Sequence, residues 1–147
     1  MIFQQLQKKH LKNQNGKFIY ANSIAGDKEY EKLYENQNNQ SHQSWQKFIA
    51  ESPYKFTFYN DLDDIDLTKN PLCLWFFKER SDSKKGKDII RNNSYIEYMP
   101  NTLFIFNKDN RSEFKILPKK ESIHRRPVVQ FEIKFEDYQS LVNKLDG

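Results

Sequence analysis

The sequence predicts a mainly β domain of the α+β class, with helices at both ends of the chain. Between residues 54 and 135, apolar residues alternate or cluster in short runs separated by turn signals, which is typical of a β-sandwich or barrel. Before and after this region, apolar residues recur at helical spacing. A length of 147 residues suits one domain with one core. We therefore divide a single domain, 1–147, into a helical and loop part (1–53), a β core (54–135) and a C-terminal helix (136–147).

Short amphipathic helices are predicted in the N-terminal part, because apolar side chains in three places share one helical face. These faces are formed by Ile2, Phe3 and Leu6, by Tyr30, Leu33 and Tyr34, and by Trp45, Phe48 and Ile49. The C-terminal helix is predicted by Tyr138, Leu141, Val142 and Leu145, at spacing i, i+3, i+4 and i+7.

Strands are predicted throughout the β core. One of them, the run LCLWFF, is continuously apolar, as expected for a strand that is covered on both faces. We expect two facing antiparallel sheets with the helices packed outside. The predicted strands are Tyr54–Asn60, Leu72–Phe77, Tyr95–Met99, Thr102–Asn107, Glu113–Leu117 and Val128–Phe135.

Composition limits the class of protein. No apolar run approaches the ~18–20 residues needed to span a bilayer, and residues 1–25 lack the order of a signal peptide. The lone cysteine, Cys73, excludes an intrachain disulfide and lies inside the apolar run, so we expect a cytoplasmic protein with an inert core thiol.

The charge pattern is mildly basic, with a net charge of +4 and a sequence pI of about 9.0. Because acidic residues are also numerous, we interpret the basic residues mainly as solvated side chains and keep nucleic-acid binding as a weaker alternative. The basic clusters are Lys84, Lys85 and Lys87, and later Lys119, Lys120, Arg125 and Arg126.

Few residues form a pattern that indicates catalysis. None of the three histidines, His10, His42 and His124, has a second ligand at a metal-binding spacing, and no nucleophile or phosphate-loop motif is present. The acidic cluster Asp61, Asp63, Asp64 and Asp66 is interpreted as a solvated loop, with a hard-cation site as the alternative.

A set of spaced motifs lies between Arg80 and Lys134. Gly86-Lys87-Asp88 comes first, Pro100-Asn101-Thr102-Leu103 with Phe106 reads P-N-T-L-x-x-F, and Ser112, Ile116 and Pro118 read S-x-x-x-I-x-P. Arg125 or Arg126 then precedes the strand Val128–Lys134. This stretch resembles the second half of the barrel in 2-oxoglutarate/Fe(II) oxygenases of the prolyl-hydroxylase-like type. The resemblance implies a double-stranded β-helix, or jelly-roll-like barrel, in which one arginine of the pair binds the 2-oxoglutarate carboxylate. We expect Arg126 to face inward.

The departures from the family pattern concern the metal. In the register of the resemblance, the distal histidine falls on Phe114, and the proximal H-x-D falls on Tyr59-Asn60-Asp61, so only Asp61 survives of three ligands. Fe(II) in this class needs two imidazoles and a carboxylate. A shifted register would use His124 as the distal ligand, and a slipped strand would use Glu113.

The resemblance and its departures together favour a non-catalytic relative of these oxygenases that binds a protein partner or a small ligand. No catalytic residue, no metal site and no cofactor are expected. One alternative is an active 2-oxoglutarate-dependent hydroxylase with atypical metal ligands, which would use Fe(II) and 2-oxoglutarate. Another is a basic β domain that binds nucleic acid or a protein.

Overall fold

The computed structural model describes residues 12–14, 18–22, 25–52, 54–78, 87–91, 94–97, 100–107, 114–116 and 126–146; side chains are described for 25–52, 54–78, 100–107 and 126–143. The first predicted helix, at Ile2, Phe3 and Leu6, lies outside these residues. The helices are α1 (Asp27–Glu35), α2 (Gln43–Glu51) and α3 (Phe135–Asp146), with a short 3-10 helix at Leu62–Asp64. The strands are β1 (Lys12–Gln14), β2 (Phe18–Asn22), β3 (Phe56–Tyr59), β4 (Leu72–Phe76), β5 (Lys87–Arg91), β6 (Ser94–Glu97), β7 (Thr102–Phe106), β8 (Phe114–Ile116) and β9 (Val128–Phe131).

The described strands form two antiparallel sheets. One is six-stranded with the order β1-β2-β7-β4-β9-β3, and the other is three-stranded with the order β6-β5-β8. With the three α-helices of the described residues, the fold belongs to the α+β class that the sequence predicts.

Several elements differ from the sequence prediction. Strands β1 and β2 lie within residues 1–53, for which only helices and loop are predicted, and β5 is an additional strand. The predicted strand Val128–Phe135 is too long, because β9 ends at Phe131 and α3 begins at Phe135. The carbonyl of Lys134 already accepts hydrogen bonds from the backbone N–H groups of Asp137 and Tyr138, in the first turn of that helix.

Strand β4 lies at the centre of the larger sheet and is buried on both faces, which confirms the interpretation of the apolar run. Cys73 and Trp75 point toward the helices, and Leu74 and Phe76 point toward the opposite face, as strand alternation requires. Burying such side chains stabilises the fold by roughly 1.5–3 kcal/mol each.

The helical face of the sheet is covered by all three helices. Their buried side chains include Tyr30, Leu33, Trp45, Phe48 and Tyr138, which form one cluster with the inward side chains of β4, β7 and β9. The indole N–H of Trp45 donates to the carbonyl of Leu33 over 3.1 Å and joins α2 to α1. Ile49 was predicted to share this face, but it is 45% exposed.

The turn before β7 is held by Asn101. Its φ of 53° is in the left-handed region, which asparagine tolerates better than most residues. The side chain accepts from the backbone N–H of Ala25 (3.3 Å) and the indole N–H of Trp75 (3.1 Å), and donates to the carbonyl of Ala25 (2.9 Å). Asn101 therefore joins the segment before α1 to the central strand. No helix in the described part of the chain is both long and apolar enough to cross a bilayer.

Candidate functional site

The opposite face of the larger sheet contains a buried arginine. Arg126 precedes β9 by two residues, and it therefore has the same strand parity as Val128 and Gln130. Only 1% of its surface is exposed. Val128 packs on this face with Leu72, Leu74, Phe76, Phe104 and Phe106. A guanidinium in such surroundings needs a nearby negative charge, because an unpaired buried charge is strongly destabilising.

The negative charge comes from the segment between β3 and β4, residues 60–71, which we call the acidic segment. Its 3-10 helix is capped by Asp61, whose carboxylate accepts from the backbone N–H of Asp63 over 3.3 Å. Leu62 and Ile65 are buried in the same apolar cluster as Val128. The apolar side chains thus attach the segment to the sheet and place two of its carboxylates, those of Asp61 and Asp63, at the arginine.

Two carboxylates contact Arg126. The Nε atom lies 3.8 Å from Oδ1 of Asp61, and the Nη2 atom donates to Oδ1 of Asp63. The Asp61 side chain is 14% exposed and that of Asp63 is 41% exposed. The site therefore has one enclosed and one half-open carboxylate, and together they exceed the charge of the guanidinium.

Gln130 fixes the end of the acidic segment. It is buried in the middle of β9, where its Oε1 accepts from the backbone N–H of Asp66 (2.9 Å) and its Nε2 donates to the carbonyl of the same residue (2.8 Å). A carboxamide that satisfies both backbone groups of one residue holds that residue in register. The position of the acidic segment is consequently set from both β9 and the apolar cluster.

Of the three residues at the expected metal-ligand positions, Tyr59 and Asp61 have described side chains and Phe114 does not. Tyr59 ends β3, pairs with Val128 and packs against the apolar cluster. Asp61 lies beside the guanidinium of Arg126. Phe114 begins β8 and pairs with Arg91 of β5, but its side chain is not described. The described part of this set does not fit an Fe(II) triad, because its one surviving carboxylate faces a cation.

The other residues singled out in the sequence are either outside the described residues or have structural roles. His124, Glu113, Arg125, His10, Lys84, Lys85, Lys119 and Lys120 are outside the described residues, and the side chain of Lys87 is not described. His42 caps α2 through a hydrogen bond from the backbone N–H of Ser44, which is a structural role. Cys73 is fully buried, and burial raises the pKa of its thiol, as expected for an inert core residue. Among the described side chains, no three His, Cys, Asp or Glu residues are grouped to hold a metal ion.

The sequence patterns missed the roles of Asp63 and Gln130. Asp63 was assigned to a solvated loop, and nothing in the local pattern connects it with an arginine far along the chain. Gln130 carried a usable signal, since it is a polar residue within a buried strand and such residues require hydrogen-bond partners. In comparisons with protein-family models, curated proteins and solved structures, this chain matches none of them.

Proposed function

We propose that this protein is a non-catalytic relative of the 2-oxoglutarate/Fe(II) oxygenases, with a double-stranded β-helix fold, that binds a carboxylate-bearing small ligand or partner through Arg126. The observation that carries the proposal is the contact of Asp61 and Asp63 with the Arg126 guanidinium. In the register of the resemblance, Asp61 corresponds to a metal ligand and Arg126 to the carboxylate-binding arginine. Here the two side chains neutralise each other.

The pairing of the strands supports a double-stranded β-helix. In a double-stranded β-helix, antiparallel pairs are nested around one hairpin and assigned alternately to two sheets. Here β5–β6 is the innermost hairpin and belongs to the smaller sheet, while the flanking pair β4–β7 belongs to the larger sheet. The outer pair β3–β9 again belongs to the larger sheet, and β8 joins β5 in the smaller one. Among the described strands, the nesting leaves one place unfilled, beside β8.

The unfilled place falls in the acidic segment, between β3 and β4. Residues 60–71 are all described and contain the 3-10 helix but no strand. In the register of the resemblance, H-x-D falls on Tyr59-Asn60-Asp61, at the end of β3 and the start of the acidic segment. The unfilled strand position and the altered ligand positions are therefore adjacent in the sequence, which supports a site that no longer binds a metal.

Electrostatics supports the absence of catalysis. A divalent cation bound to Asp61 would lie near the guanidinium of Arg126. Two cations that share one carboxylate repel each other, and this repulsion opposes metal binding. Asp61 would also have to divide its negative charge between the metal and the arginine, which is 1% exposed and depends on its carboxylates. Both effects oppose the tight binding of Fe(II).

The ligand class follows from the arginine. A guanidinium binds carboxylates through parallel N–H donors, and it does so more strongly where water is excluded. We further propose a cytoplasmic location and no tightly bound cofactor; the buried, unpaired thiol of Cys73 is consistent with a reducing compartment.

An assay for the turnover of 2-oxoglutarate tests this proposal. The wild-type protein is incubated with Fe(II), ascorbate and 2-oxoglutarate, and succinate release is compared with a metal-free control. We expect no excess succinate. The variant with both Tyr59→His and Phe114→His restores the imidazoles of the family register and is the matched comparison. Metal-dependent succinate release by the wild type would contradict the proposal and would assign ligand roles to His124 or Glu113.

A further inference from the structure

We infer that Asp63 is a built-in competitor for the carboxylate site of Arg126, so that an incoming ligand has to replace the Asp63 carboxylate on the guanidinium. This inference rests on the proposed function, because it concerns the regulation of the same site. It assigns different roles to the two aspartates that contact the arginine. Asp61 is the permanent partner, and Asp63 is the exchangeable one.

The exposures and contacts of the two side chains distinguish their roles. The Asp61 side chain is 14% exposed and also accepts the N–H of Asp63, so it caps the 3-10 helix while it faces the arginine. The Asp63 side chain is 41% exposed and reaches the Nη2 atom from the solvent side. A water-facing carboxylate can rotate away and be hydrated at a modest cost, whereas an enclosed one cannot.

The backbone beneath Asp63 is held independently of the ion pair. Leu62 and Ile65 are buried on either side of it, and Gln130 binds both backbone groups of Asp66. The Asp63 carboxylate can therefore leave the guanidinium by a change of side-chain rotamer, with the backbone of the acidic segment left in place. Because this carboxylate is 41% exposed, its position on the Nη2 atom is the one that an incoming carboxylate would take.

The burial of Arg126 explains why a competitor is needed. At 1% exposure, the guanidinium gains little from water, so an anion has to remain near its outer edge in the absence of ligand. Asp63 supplies that anion. A free carboxylate offers the same oxygen atoms, so ligand binding exchanges one charge-assisted hydrogen bond for another. The net gain is small, and the wild-type affinity for a small carboxylate is low.

Removing the competitor should therefore raise affinity. The test variant is Asp63→Asn, which keeps the size of the side chain and removes its charge. The matched control is Asp64→Asn, which makes the same change of net charge at the neighbouring exposed residue of the same 3-10 helix. A half-exposed ion pair of ordinary strength corresponds to about a fivefold change in affinity. We expect Asp63→Asn to bind succinate about fivefold more tightly than the wild type, and Asp64→Asn to bind it with little change.

The measurement is a succinate titration followed by the ¹⁵N–¹H resonances of arginine side chains, with Arg126→Lys to assign the responding signal. Equal affinities of wild type and Asp63→Asn, with the Arg126 signal still responding, would overturn the competitor role and leave the carboxylate site intact. Equal gains in Asp63→Asn and Asp64→Asn would also overturn it, since a general charge effect would then suffice. A response in no variant would instead contradict the carboxylate-binding function itself.

Discussion

Replacing Asn101 by alanine should destabilise the protein strongly. The substitution removes three hydrogen bonds, two to the backbone of Ala25 and one to the indole of Trp75. Ala25 and Trp75 are 3% and 0% exposed, so water cannot easily replace the lost partner. At about 1 kcal/mol for each bond, the loss is about 3 kcal/mol.

The backbone at this position adds a second cost. Asn101 has a φ of 53°, and alanine in the left-handed region costs about 1 kcal/mol more than asparagine or glycine. We therefore expect Asn101→Ala to lower the free energy of unfolding by about 4 kcal/mol, a large part of the usual 5–15 kcal/mol. Asn101→Gly loses the same hydrogen bonds without the strain, so its loss should be about 3 kcal/mol.

Urea denaturation followed by tryptophan fluorescence measures these losses, because Trp45 and Trp75 are fully buried. With a slope near 2 kcal/mol per molar urea, the midpoint of Asn101→Ala should fall by about 2 M at unchanged slope. Asn143→Ala, an exposed change in α3, is the control and should alter stability by less than about 0.5 kcal/mol. A loss below about 1 kcal/mol in Asn101→Ala would show that these three hydrogen bonds contribute little, and a larger loss in Asn101→Gly would show that the backbone conformation is not strained for alanine.

Two further predictions concern other buried contacts. Gln130→Met keeps the side-chain volume but removes both hydrogen bonds to the backbone of Asp66. We expect it to lower the free energy of unfolding, measured by urea denaturation, by about 2 kcal/mol. The control Gln139→Met, on the exposed side of α3, should be nearly neutral. Burial and a hydrogen bond with Asp137 raise the pKa of Tyr54 from 10.0 to about 12. The stability that this phenol contributes is therefore fully present below pH 10 and is lost as the pH rises through 12. In Tyr54→Phe, the thermal midpoint should fall less steeply between pH 9.5 and 11.5 than in the wild type. An equally steep fall in both proteins would contradict the raised pKa of Tyr54.

The central strands could be predicted because their patterns are local. The apolar run of β4 can be buried only if both faces of the sheet are covered. The alternation in β3 directs Phe56 and Phe58 to the helical face, where both rings pack near Trp45. Strand β2 was missed for the opposite reason. Its pairing partner is β7, some eighty residues away in sequence, and strand formation depends strongly on such a partner.

The candidate site could be predicted only in part. Arg126 was expected to face inward because alternation allows only one of two adjacent arginines to do so, and its side chain is buried. The acidic cluster, by contrast, has the composition of a solvated loop. Its attachment to the arginine depends on Leu62, Ile65 and Gln130, which act across the sheet and leave no spacing that can be recognised in sequence. Non-local electrostatic pairs of this kind become visible only in three dimensions.

In the function that we propose, Asp61 pairs with Arg126 instead of binding a metal. The most direct test of this proposal is the amount of iron that the wild-type protein retains after anaerobic incubation with Fe(II) and desalting, measured against protein concentration. We expect retention far below one iron per chain, unchanged when 2-oxoglutarate is present. Retention of one iron per chain would show that this proposal is wrong, because Asp61 would then ligate the metal beside the buried guanidinium, or other residues would form the site.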